Sequence, residues 1–246
     1  KSITSGANNI AIGYTALLNH TTGGYNIAIG KNTMYDTDAG STSLGSQHNI
    51  FIGLSAGGGV WADAASNYNV GIGNYSMDAA LNGALNNTAL GHYTLSSLTE
   101  GDSNVAIGYN AGGSLTTGGT NILIGRNAGS SGTDLAYSVI IGTYAGDAIN
   151  TNNSQGSVLI GYEAGTNLTD GVNSLIGYYA GRYLSTQGYN TMYGYEVGQY
   201  MNGSSNTFIG YYAGRGSSTS APYGNGAQNV AVGRQALQSI SSGSYN

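Results

Sequence analysis

A five-residue phrase governs the whole chain. It reads Asn-Ile-Ala-Ile-Gly at 26–30 and returns as Asn-Val-Ala-Ile-Gly at 104–108, Asn-Ile-Leu-Ile-Gly at 121–125, Asn-Thr-Phe-Ile-Gly at 206–210 and Asn-Val-Ala-Val-Gly at 229–233. With the closing glycine as anchor, copies fall at Gly13, Gly30, Gly53, Gly73, Gly91, Gly108, Gly125, Gly142, Gly161, Gly177, Gly194, Gly210 and Gly233, mostly 16 to 20 residues apart. A unit of this length repeated end to end is the signature of a solenoid, in which each repeat contacts mainly its neighbours. The sequence therefore predicts an all-β, parallel β-solenoid (β-roll) of about 13 coils of roughly 17 residues. The whole of 1–246 reads as a single repeat array, with irregular insertions near 31–48, 54–68 and 214–228.

The columns of this alignment carry the physics. Immediately before each anchor stands a bulky residue, Ile in most copies, and two positions earlier stands Ile, Val, Thr or Ser. Residues two apart in a strand share a face, and this face is expected to be the inside of the coil. The residue between them is then expected to point outward, yet it is apolar or small throughout, with Leu123, Ile140, Leu159, Leu175, Met192 and Phe208 in the second half. A strand apolar on both faces is usually covered on both. The expectation is a subunit interface along those six residues, made with copies of the same chain.

Four residues before the anchor is Asn in eleven of thirteen copies, the exceptions being Ser138 and Ser157. Stacked coils would bring Asn26, Asn104, Asn121, Asn206 and Asn229 into hydrogen-bonded amide ladders with their neighbours. Gly-x-x-Ala-Gly after the anchor reads as a tight corner leading to a second, weaker strand, in stretches such as 114–117 and 167–169. Helices are disfavoured, because apolar residues do not recur at helical spacing and 43 glycines would weaken any helix interior.

Composition narrows function. Charged residues are 7% of the chain, and the six basic residues are scattered, so nucleic-acid binding is disfavoured. Cysteine is absent, which fits an extracellular object without disulfides or thiolate metal sites. No apolar run is long enough for membrane insertion of this segment. Thirteen strands stacked at about 4.8 Å imply a rod on the order of 60 Å. Because 2–9 and 239–246 share one phase of the repeat, the segment is expected to be a piece of a longer fibre.

Nothing in the sequence looks catalytic: no nucleophile-elbow, phosphate-loop or zinc-helix motif occurs, and no cofactor is implied. The Asp36 to Gly40 stretch faintly resembles a calcium loop but has Gln47 where the twelfth-position Glu is required. His20, His48 and His92 fall in different coils, so no metal site is read. The candidate receptor or glycan contacts are aromatic. Tyr162, Tyr178, Tyr195 and Tyr211 follow the anchor directly, and Tyr179 and Tyr212 come one later, beside Glu163 and Glu196. Aromatic faces next to amides and carboxylates suit sugars, although stacked tyrosines also simply bind coil edges together. Trp61 and Tyr223, on two of the insertions, complete the set.

The phrase Asn-x-Ala-Ile-Gly-x-x-Ala at 104–111, loosely repeated at 121–128, resembles the head repeats of trimeric autotransporter adhesins and the Asn-Thr-Ala-Ile-Gly-Tyr-x-Ala-Gly arrays of phage tail-fibre-like proteins. The resemblance covers essentially every coil and implies a parallel β-roll in which three chains share one axis, an intertwined or side-by-side homotrimer. It also implies a non-enzymatic attachment fibre, at the cell exterior or virion surface, that presents or contacts cell-surface glycan or protein receptors. The repeat here is longer than that of the adhesin heads. Other readings are an ice-binding solenoid, an extracellular matrix or surface filament subunit, and a glycan-depolymerising tail spike.

Overall fold

The computed structural model describes residues 6–37, 45–150, 154–217 and 224–245. Thirteen parallel strands of three or four residues follow in chain order, and no α-helix occurs among the described residues. The chain divides into two units, 1–123 and 124–246, and both are runs of the same β-solenoid coil. The first holds β1 (Ile10–Ile12), β2 (Ile27–Ile29), β3 (Ile50–Ile52), β4 (Val70–Ile72), β5 (Thr88–Leu90) and β6 (Val105–Ile107); β7 (Ile122–Ile124) falls at the boundary. The second holds β8 (Val139–Ile141), β9 (Val158–Ile160), β10 (Asn173–Ile176), β11 (Asn190–Tyr193), β12 (Thr207–Ile209) and β13 (Val230–Val232). Within each unit consecutive strands pair without slippage, so that Ile27 lies beside Ile50 and Leu175 beside Met192.

The strands are inserted the opposite way round from the expectation. The central residue of each strand points into its own coil: Ala28, Phe51, Ala89, Ala106, Leu123, Ile140, Leu159, Leu175, Met192 and Phe208 are fully buried within the single chain. Leu123, Ile140, Leu159, Leu175, Met192 and Phe208 are thus core residues and cannot form a surface between subunits. The Ile and Val columns on either side face outward. The reason is the Asn column. Asn sits two residues before the central position, so alternation sends both to the same side, and the Asn side chains are buried.

Those amides form the coil's polar spine. Asn104 Nδ2 donates to Asn87 Oδ1 at 3.0 Å and to Gly118 O at 3.0 Å, while Asn104 Oδ1 accepts from Asn121 N at 3.1 Å and Asn121 Nδ2 at 2.9 Å. Both protons and both lone-pair directions of the amide are used, the condition for placing Asn in a core. The same geometry links Asn9, Asn26, Asn49, Asn69 and Asn87 in the first unit, and Asn173, Asn190, Asn206 and Asn229 in the second. At the two exceptions Ser substitutes in part: Ser157 Oγ accepts from Asn173 N at 3.2 Å.

Among the described residues one strand forms per coil. The other side is turns, with isolated bridges at Asp36–Val60, Asn67–Leu85 and Met201–Gly224. Residues 114–117 and 167–169 form no strand. Two residues after the anchor, Asn110, Tyr144, Glu163 and their equivalents take left-handed backbone. That curvature turns the chain out of the strand, and inter-coil backbone bonds persist on the turn side, as from Leu95 N to Ala111 O at 3.1 Å. The anchor glycine is demanded by space as well as torsion. Gly142 has φ +139°, and a Cβ there would lie 2.2 Å from the Gly161 carbonyl oxygen.

Candidate functional site

Two surfaces stand out. The first is the outward strand face, where Ile, Val and Leu side chains form two in-register columns. In the first unit they run from Ile10 and Ile12 to Val105 and Ile107, broken by Thr88; in the second they include Val139, Ile141, Val158, Ile160, Ile176, Ile209, Val230 and Val232. Neighbours in a column shield one another, so most are half-buried, while those in the terminal strands are open, Ile12 at 58% and Val232 at 66%. From β10 to β12 the first column turns polar, with Ser174, Thr191 and Thr207, and Ser174 shares a 3.0 Å hydrogen bond with the Tyr193 hydroxyl.

The second surface is a tyrosine ladder in the second unit. Tyr162, Tyr178, Tyr195 and Tyr211 stack with ring centroids 5.4, 5.1 and 5.5 Å apart and planes within 14° of parallel. Strand register positions each ring directly beside the next coil's. Tyr179 and Tyr212 branch from the ladder, each with its ring centre 4.0 Å from that of the preceding residue. Arg182 lies over the Tyr179 ring at 4.3 Å and pairs with Glu163 at 2.7 Å; Arg215 repeats the arrangement with Tyr212 at 4.6 Å and Glu196 at 2.8 Å. The two clusters are 33 residues apart in the chain, or two coils.

Electrostatics favour protonated phenols here. A hydrogen bond to the Glu163 carboxylate raises the Tyr162 pKa, and a hydrogen bond to Tyr178 raises that of Tyr179. Desolvation leads for Tyr195, followed by its bond to Glu196. Tyr212, bonded to Tyr211 and partly desolvated, is pushed up to about 12.

The remaining candidates fall elsewhere. Trp61 is not an exposed contact: it is fully buried, its ring set edge-on to Phe51 at 5.9 Å, and its Nε1 donates to Gly57 O at 3.0 Å. The Gly-rich insertion therefore supplies a core plug. Tyr223 and Asp38 lie outside the described residues. His20 is buried and hydrogen-bonded to Thr37 Oγ1 at 2.6 Å and Gly23 O at 2.7 Å, whereas His48 is sandwiched between Tyr25 and Tyr68. Among the described residues no cluster of three or more His, Asp or Glu side chains is arranged to hold a metal ion, and no helix is long and apolar enough to cross a membrane.

Sequence reasoning singled out every rung of the ladder but missed Arg182 and Arg215. The Tyr-Tyr-Ala-Gly-Arg phrase at 178–182 and 211–215 was the available signal. No family model, curated protein or solved structure matches this chain.

Proposed function

We propose that the chain is part of a non-enzymatic attachment fibre at the cell exterior or virion surface, in which three copies associate through their outward strand faces. The single observation behind this reading is the pair of Ile and Val columns presented by unit after unit of parallel strand. Flat apolar surface of this regularity is seldom left in water, and side-by-side packing of identical faces covers it with matched register. The low charge density removes the repulsion that would oppose such packing. Sedimentation equilibrium tests it. The wild type is expected to be trimeric, and Val105→Glu with Ile107→Glu monomeric yet folded; a monomeric wild type refutes the reading.

The tyrosine ladder supports receptor contact by hydroxyls and edges rather than by ring faces. Its interior faces are occupied by neighbouring rings, so sugar stacking is confined to the ladder's ends, while the phenol hydroxyls and the partly exposed Arg182 and Arg215, each already paired with a Glu, remain for polar contacts. A glycan array with the wild type and with Arg182→Ala tests this. A second reading, an ice-binding solenoid, draws on the same flat, in-register strand face. Its columns hold Ile and Val far more often than Thr, and a measurement of thermal hysteresis decides it.

A further inference from the structure

The tyrosines are chemically unusual in their company. The chain has 21 Tyr against 2 Phe and no Cys. Phe stacks as well as Tyr does, so packing alone does not explain the hydroxyls. The other residues that oxidants attack readily are hidden: Met34, Met77, Met192, Met201 and Trp61 are all fully buried. The ladder rings are open by comparison, with Tyr162, Tyr178, Tyr195 and Tyr211 between 38% and 43% exposed.

We propose that the ladder of the second unit is a site of oxidative phenol coupling, where hydrogen peroxide and a peroxidase join neighbouring rungs as dityrosine and staple successive coils covalently. Each phenol loses one electron and its hydroxyl proton, and two adjacent phenoxyl radicals combine through a new Cε–Cε bond. The two ring hydrogens displaced there leave as protons when both rings return to phenols. The two electrons and two protons removed overall reduce one peroxide to two waters.

Tyr75 with Tyr93 and Tyr183 with Tyr200 also stack, at 5.1 and 5.2 Å, but the ladder lines up four rings in succession and so offers each inner ring two coupling partners. Radical coupling needs two oxidised rings in contact at once, and every inner rung has a partner on each side at 5.1 to 5.5 Å. Bond formation requires the rings to tilt out of the stack. Glu163 and Glu196 stand beside Tyr162 and Tyr195 as acceptors for the departing protons. Tyr14, Tyr137 and Tyr189 are more exposed, at 74%, 68% and 77%, but have no stacked ring partner among the described residues and must meet another molecule to couple.

The test treats the full chain with hydrogen peroxide and a haem peroxidase, following dityrosine fluorescence and mapping cross-linked peptides by mass spectrometry. The expected products have lost two hydrogens and join Tyr162 to Tyr178, Tyr178 to Tyr195 and Tyr195 to Tyr211, in a yield independent of protein concentration. The double variant Tyr178→Phe, Tyr195→Phe keeps the stack and loses all three links, whereas replacing Tyr14, Tyr137 and Tyr189 with Phe leaves them intact. Links mapping instead to Tyr14, Tyr137 or Tyr189, or a yield that rises with protein concentration, overturn the proposal. The wild-type map decides the matter even if the double variant fails to fold.

Discussion

Replacing Asn104 with Ala tests the polar spine most directly. The substitution removes four hydrogen bonds made by one buried side chain. Asn87 Oδ1 keeps a donor, because the residue 104 backbone N–H still reaches it at 2.9 Å. Three groups lose the partner they have here: Asn121 N–H, one Asn121 amide proton and Gly118 O. Stranding a buried polar group costs about 1–3 kcal/mol, so the loss of three partners should total roughly 3–9 kcal/mol. Against a typical domain stability of about 5–15 kcal/mol, that is enough to open the coil locally. Asn104→Ser should cost about half as much, since its hydroxyl can accept from Asn121 N as Ser157 accepts from Asn173. Denaturant midpoints at unchanged m measure both, and hydrogen exchange at residues 104–121 locates the change. If Asn104→Ala costs under about 1 kcal/mol, or no more than Asn104→Ser, the amides are not structurally required and the reasoning fails.

Three further outcomes follow from the same coordinates. Gly142→Ala should prevent the second unit from folding, whereas Gly233→Ala, with φ +119° and nothing within 4 Å of the added carbon, should cost only about 1–2 kcal/mol of backbone strain; thermal melts of the two variants compare them. Trp61→Ala should destabilise by about 3–5 kcal/mol through its cavity, and native Trp fluorescence should be blue-shifted and move red on unfolding. Stability should fall at alkaline pH: the folded state favours the neutral Tyr212 phenol, so its contribution is complete below the unfolded value of about 10 and is lost as pH climbs to about 12. Tyr212→Phe should flatten that part of the pH profile, as read by melting temperature.

Fold class was legible because the anchor phrase fixes the coil length, and a coil of that length built around a strand stacks only on its neighbours. The repeat alone places each anchor glycine and each spine Asn. The turn side was less legible, because side chains two after the anchor do not announce the backbone they take there. Tyr144, Glu163 and Tyr179 occupy left-handed φ there, although such side chains seldom adopt it. Trp61 misled for another reason. Its glycine-rich context reads as an irregular insertion, but Gly57 and Gly71 leave the space that the Phe51 ring fills beside the indole.

The inverted strand face is the instructive error, since the sequence contained its own correction. Asn at four before the anchor and the central residue at two before it have the same parity, so a buried amide ladder and an inward Ile column exclude each other. Bulk argued for Ile inside; hydrogen bonding argued for Asn inside. The amide is decisive, because leaving such a group unpaired in a core costs more than leaving an Ile half-covered at a surface. The narrow interior then accepts Ala28 or Gly71 in one coil and Phe51 in the next, which explains why the central column is so uneven in size. With the faces inverted, the expectation of a second covered face passes from the central column to the Ile and Val columns on either side of it. The Leu123 to Phe208 column is covered within its own coil, and the proposed association would instead bury the outward columns, Val105 and Ile107 in the first unit and Val158 and Ile160 in the second.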